Sequence, residues 1–189
     1  MKLHLGSGTI YLKGYINIDA NPTYLASEAP KDLLEKNTTT LENYYKHSFN
    51  GGSGVCIADL SCRIEKLPYQ DSTVDEIVML HVLEHLPAYK VDFVLHEFKR
   101  ILKLHGKLYL GVPDVKGTAE MLAEAETPEE EDWCIRLIHG TQKNEFSHHY
   151  CGYTERTLKK LLSNKGFGKF KTLPNKNFYP AIHLEARKI

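Results

Sequence analysis

Apolar residues in this chain gather into short runs separated by longer stretches with helical spacing. Leu3-His4-Leu5 runs into Gly6-Ser7-Gly8, and Tyr15-Ile16-Asn17-Ile18 runs into Asp19. Val55–Leu60, Val74–Leu80, Lys107–Val112, Phe170–Leu173 and Ile182–Ala186 follow. Bounded by Gly, Pro and Asp, such runs read as strands buried on both faces. Between them, Val91, Val94, Leu95, Phe98, Ile101 and Leu102 share one face of a helix predicted over 89–103 and ended by Gly106. Thr154 is a suitable N-cap for a helix over Glu155–Lys165, with Gly166 at its C-terminal end. Strands that alternate with helices predict an α/β fold, a Rossmann-like doubly wound sheet of about seven mostly parallel strands.

Two stretches carry weaker patterns. Leu33, Leu34, Leu41, Tyr44 and Tyr45 mark a buried stripe in residues 24–48, and Gly51-Gly52-Ser53-Gly54 reads as a loop. An acidic run from Glu124 to Asp132 reads as a solvated helix start, with Trp133, Ile135, Leu137 and Ile138 packing behind it. No repeat or low-complexity segment breaks the chain, so a single domain over 1–189 is expected. The first crossover is unusual. Only Thr9–Tyr15 separates the glycine turn from the second run, whereas a parallel crossover normally takes a dozen or more residues. The first helix is therefore expected to shrink to a turn.

Composition narrows the function classes. Lys+Arg and Asp+Glu both number 24, so no overall field favours nucleic acid or an acidic membrane surface. No apolar run approaches the roughly 18 residues of a membrane helix. The N-terminus runs straight into a strand without a signal-peptide pattern, and a cytoplasmic protein is expected. Cys56, Cys62, Cys134 and Cys151 have neither CxxC nor zinc spacing and read as reduced, mostly structural thiols. No metal site is expected, because Asp114 and the histidines show no recognisable ligand spacing.

The candidate chemistry lies at the strand ends. Glycines at 6 and 8 let backbone N–H groups approach a ligand closely, although glycine also serves ordinary turns. Asp19 closes the second run, where a carboxylate can accept hydrogen bonds from a ribose diol. Asp59 closes the third, as a ligand contact or as a turn cap.

In order along the chain, LHLGSG, INID, IADL, VDEIVMLHVLEHL, FKRILKLHGKLYLGVPD and YTERTLKKLLSNKGF resemble the class I S-adenosylmethionine-dependent methyltransferases, specifically the type 11 methyltransferase-like group. The likeness runs from Leu3 to Phe167. It implies a seven-stranded sheet whose last strand, here Ile182–Ala186, is antiparallel. It implies S-adenosyl-L-methionine as cofactor, with Gly6, Ser7 and Gly8 beside its methionine part and Asp19 on the ribose. Asp59 and Leu60 fall near the adenine, and Leu80 and His81 next to the sulfonium. Glu84 and His85 match the LEH segment that follows. Two departures stand out: the third glycine after the turn is absent, and Leu104-His105-Gly106 replaces the usual Pro-Gly-Gly.

Methyl transfer mainly needs alignment and, where the nucleophile carries a proton, a base. His81, His148, His149 and Glu84 are the base candidates, with packing or substrate positioning as the alternative for the histidines. Residues 113–152 are expected to cover the substrate, with Trp133, Tyr150 and Asp114 as contacts, Asp114 alternatively capping the next segment. The aromatic surface there suits a small-molecule or glycan acceptor and lacks the basic face of a nucleic-acid enzyme. Two rival readings are a non-catalytic cofactor-binding module supporting a partner enzyme, and an aminopropyl-transferring relative.

Overall fold

The computed structural model describes residues 1–49, 54–144 and 146–189, with backbone alone at 47–49; of the loop expected at 51–54, residues 51–53 lie outside the described residues. Seven strands form the main sheet: β1 (Lys2–Leu5), β2 (Ile16–Asp19), β3 (Leu60–Ser61), β4 (Val74–Leu80), β5 (Leu102–Pro113), β6 (Phe167–Leu173) and β7 (Ala181–Lys188). Their spatial order is β6-β7-β5-β4-β1-β2-β3. β1 to β5 are parallel, with Leu3 opposite both Ile16 and Ile77, and Leu80 opposite Gly111. β7 lies antiparallel between β5 and β6. This is the expected doubly wound sheet with its last strand reversed.

The contiguous apolar runs arise because both faces of the sheet are covered. Ile77 and Met79 of β4 join Leu3, Leu5, Val94, Phe98, Leu158 and Leu162 in the larger core cluster. Val78 and Leu80, pointing the other way along the same strand, join Ile10, Leu12, Tyr44 and Tyr45 in a smaller one. The larger cluster takes α3 (Ala88–Ile101), whose buried apolar residues are among those the periodicity selected, and α6 (Glu155–Asn164) through Leu158 and Leu162. The smaller takes the start of α2 (Tyr44–Phe49), reached through α1 (Lys31–Asn37). Two further helices, α4 (Val115–Ala123) and α5 (Pro128–His139), fill the segment after β5. α5 opens on a capping box of Thr127 and Glu130 with Pro128 in its first turn, and α6 on one of Thr154 and Thr157.

The first crossover shrinks as its length required. Ile10 N–H donates to the Ser7 carbonyl at 3.0 Å, and Tyr11–Leu12 then pairs with Thr38–Thr39 as a two-residue ribbon. Buried Asn17 fastens this short connection. Its Oδ1 accepts Leu12 N–H at 2.7 Å and His4 Nδ1–H at 2.9 Å, while its amide donates to the carbonyls of Leu12 and Tyr15.

Two boundaries differ from the sequence reading. The run Val55–Leu60 is not one strand. Ile57–Ala58 pairs with Tyr24–Leu25, and only Leu60–Ser61 reaches β2, because the Asp59 carboxylate takes the Asn17 N–H that a ladder would use. α3 ends at Ile101 rather than near Gly106, and β5 starts at once. Pairing then jumps from Val74–Leu102 to Glu76–Lys107, so residues 103–106 bulge, with His105 at φ +64°. No helix among the described residues is long and apolar enough to cross a membrane.

Candidate active site

In open parallel sheets, ligands sit beyond the carboxyl ends of the strands where the order reverses, here between β1 and β4. Gly6 ends β1 at φ +65°, and a Cβ there would lie 2.4 Å from Cγ2 of Val82. Gly8 N–H donates to Asp19 Oδ2 at 2.9 Å, and Asn21 N–H to Oδ1 at 3.1 Å. The turn and the acid thus form one unit. They open on a cleft of about 500 Å³ whose lining includes Gly6, Asp19, Arg63, Ile64, His81, His85 and Tyr150. That volume falls within the range of ordinary small-molecule sites, roughly 300–1,000 Å³.

His81 follows β4 directly, takes φ +56° and donates its N–H to the Gly111 carbonyl. Its ring Nε2 stands 3.3 Å from Asn177 Nδ2 and 3.4 Å from the Tyr45 hydroxyl. Nδ1 faces Glu84 Oε1 at 3.4 Å. Glu84 is 2% exposed, and neither carboxylate oxygen receives a hydrogen bond from the protein. Burial raises its pKa, but His81 and His85 beside it outweigh that and hold it below the usual carboxylate value.

A segment from 146 to 151 docks on this turn. Tyr150 and Cys151 donate their N–H groups to the Glu84 carbonyl, and His149 donates its own to that of His139. His85 Nδ1 lies 2.9 Å from the His148 carbonyl, and His149 Nδ1 lies 3.0 Å from that of Leu137. A carbonyl only accepts, so both Nδ1 atoms carry a hydrogen, and in the neutral ring Nε2 is then the atom with the lone pair. The two rings are 4.8 Å apart. Burial pushes the His149 pKa down. Among the described residues, Glu84, His85 and His149 bring one ligand atom each to within 4.8 Å of one another.

These residues also border a second cleft of about 380 Å³, walled by Trp133, Arg136, Phe146, Pro113 and Tyr179. Trp133 stacks on Phe178 with ring centroids 5.6 Å apart. His81, His85 and Phe146 line both clefts.

Of the residues singled out in the sequence, Gly6, Asp19, His81 and Tyr150 thus meet at the first cleft, and His81, His149 and Trp133 at the second. Others lie elsewhere. Ser7 is buried. Leu80 packs in the smaller core and Leu60 against the larger. Asp59 is engaged by Asn17 N–H at 2.7 Å and the Tyr11 hydroxyl at 2.6 Å, the structural role that competed with ligand contact. Asp114 caps α4 by accepting Lys116 N–H. His148 lends its carbonyl, and its ring leans on Tyr150. Sequence reasoning missed Arg63, Ile64, Asn177 and Tyr179, which carry no motif and reach the site only through folding. The expectation of no metal site weighed Asp114 and the histidines; the group brought together here is Glu84, His85 and His149.

A family model described as a methyltransferase domain matches residues 4–110. A comparison with curated proteins finds no match. Among solved structures, the chain is similar to a Methanosarcina mazei S-adenosylmethionine-dependent methyltransferase, with a TM-score of 0.57 at 19% identity, covering 100% of this chain and 92% of that one. A Thermotoga maritima protein of the same kind, described as a possible histamine N-methyltransferase, matches with a TM-score of 0.57 at 17% identity, covering 100% and 82%. A Burkholderia thailandensis 1,6-didemethyltoxoflavin-N1-methyltransferase, solved with 1,6-didemethyltoxoflavin and S-adenosylhomocysteine, matches with a TM-score of 0.52 at 16% identity, covering 99% and 70%. At these identities the likeness is one of fold.

Proposed function

The chain belongs to the methyltransferase-domain family, the S-adenosylmethionine-dependent class I enzymes, and from that premise we propose that it methylates a small-molecule or glycan acceptor held in the Trp133 cleft. The observation that carries this reading is the meeting of two clefts at His81 and His85. One cleft has the Asp19 carboxylate that a ribose diol needs as acceptor, and the other offers aromatic walls to a methyl acceptor.

The residues present fit the cofactor. When bound, S-adenosylmethionine supplies a methyl carbon activated by a sulfonium. Asp19 keeps lone pairs beyond those used by Gly8 and Asn21, so it can accept the two ribose hydroxyls. Gly6, held at positive φ and pressed by Val82, leaves the backbone open where a side chain would block the cleft floor. Arg63 and Ile64 line this cleft whereas Asp59 and Leu60 do not, which supports assigning the adenine to the former pair. Leu80 supports this floor from the smaller core.

His81 stands where both clefts open and is the residue best placed to touch the reacting atoms. Trp133 and Tyr179 supply the aromatic wall against which a planar or sugar-like acceptor would pack. The small-molecule substrate of the Burkholderia neighbour accords with an acceptor of this size. No observation favours the non-catalytic or aminopropyl alternatives. The test is transfer of radiolabelled methyl from S-adenosylmethionine to a panel of sugars and small metabolites. Labelled product from wild type, abolished in Trp133→Ala with cofactor binding intact, supports the reading. Full turnover by that variant contradicts the acceptor cleft.

A further inference from the structure

We propose that Glu84, His85 and His149 hold a divalent transition-metal cation at the junction of the two clefts, with open coordination positions facing the Trp133 cleft. Three independent features of the cluster point to it. Each imidazole has its Nδ1–H tied to a backbone carbonyl, at 2.9 Å for His85 and 3.0 Å for His149. This is how metal-binding histidines are commonly oriented, because it fixes the tautomer and frees Nε2. Glu84 is a fully buried carboxylate whose oxygens lack protein hydrogen bonds. Such a group calls for a charge partner. His81 Nδ1, at 3.4 Å, is the nearest described candidate, and it touches only one oxygen. Finally, the three ligand atoms lie within 4.8 Å of one another and beside open space. Ligand bonds of about 2.0–2.2 Å need only a slight inward movement from there.

The ligand set decides the class of ion. Two imidazoles and one carboxylate suit zinc, manganese or cobalt better than calcium, which prefers oxygen cages. Three protein ligands leave positions free, the arrangement of a catalytic rather than a structural site. His81, which lines both clefts, then also steadies the Glu84 carboxylate through Nδ1.

This assigns a substrate class, and that half of the proposal rests on the methyltransferase reading. An acceptor hydroxyl entering from the Trp133 cleft would ligate the cation, which lowers its pKa without a dedicated base. Its oxygen then bonds to the methyl carbon, the carbon–sulfur bond breaks with its electron pair left on sulfur, and the hydroxyl proton passes to water in the open cleft. An alcohol, and especially a vicinal diol able to chelate the ion, fits better than an amine.

The test is titration of chelator-treated protein with Mn²⁺, following the free-ion signal by electron paramagnetic resonance, and with Zn²⁺ by calorimetry. One ion per chain is expected, with affinity lowered by more than the roughly 10–100-fold that losing an outer-shell partner costs in Glu84→Gln and in His149→Gln, and unchanged in the surface variant His96→Gln. Absence of stoichiometric binding by wild type overturns the proposal whether or not the variants fold, as does wild-type affinity in folded Glu84→Gln. S-adenosylhomocysteine is titrated into the same samples. Its binding without Mn²⁺ binding sinks only the metal site, and Mn²⁺ binding without it sinks only the methyltransferase reading.

Discussion

Asp59 closes on Asn17 from both sides: its carboxylate accepts the Asn17 N–H at 2.7 Å, and its own N–H donates to the Asn17 carbonyl at 2.7 Å. Because Asn17 also holds His4 and Leu12, this pair locks the third strand run to the short first crossover. Asp59→Ala is therefore expected to destabilise the fold by about 1–3 kcal/mol, the scale for losing charged hydrogen bonds. Urea denaturation measures the loss, and S-adenosylmethionine affinity of the folded variant should stay near wild type. A stable variant that no longer binds cofactor would restore Asp59 to the adenine.

Gly6→Ala tests the cleft floor. Alanine at φ +65° carries about 1–2 kcal/mol of backbone strain, and its Cβ would strike Val82. Cofactor affinity should fall at least several-fold, and adding Val82→Ala should recover part of it by removing the clash while the strain remains. Full recovery in the double variant would mean that the contact alone matters.

His4 makes stability depend on pH. Burial pushes its pKa down to about 4, against a raising effect from its hydrogen bond to Asn17. The unfolded chain protonates near 6.5, whereas the folded one resists. Stability is thus complete above about pH 6.5 and falls as pH drops toward 4, by roughly 3 kcal/mol if the shift is fully expressed. His183, also held near 4 by burial, adds to the same slope. Denaturation midpoints between pH 7 and 4 should decline in wild type and decline less steeply in His4→Gln. Parallel slopes would remove His4 from the account.

Much of this architecture was legible in the chain because both-face burial writes itself as contiguous apolar runs, as in Val74–Leu80. The α3 face and the Thr154 cap were legible for the same local reason. Boundaries failed where a side chain overrode the ladder, as Asp59 does, or where a bulge replaced a helix end at His105 and Gly106. The Gly6, Asp19 and His81 group could be read because each residue ends a strand or directly follows one. The Glu84, His85 and His149 cluster could not, since it depends on a distant segment folding back and on carbonyls choosing the histidine tautomers. Asn177 and Tyr179 reach the site from a connection without pattern.

Asp19 carries the central claim, that the cleft between β1 and β4 is the cofactor site. The direct measurement is calorimetric titration of wild type and Asp19→Ala with S-adenosylmethionine and S-adenosylhomocysteine, with NAD as control. Wild type is expected to bind the first two but not NAD, and Asp19→Ala to weaken both by about 1–3 kcal/mol, roughly 5–150-fold. Equal affinity in the folded variant would place the cofactor elsewhere and contradict the assignment.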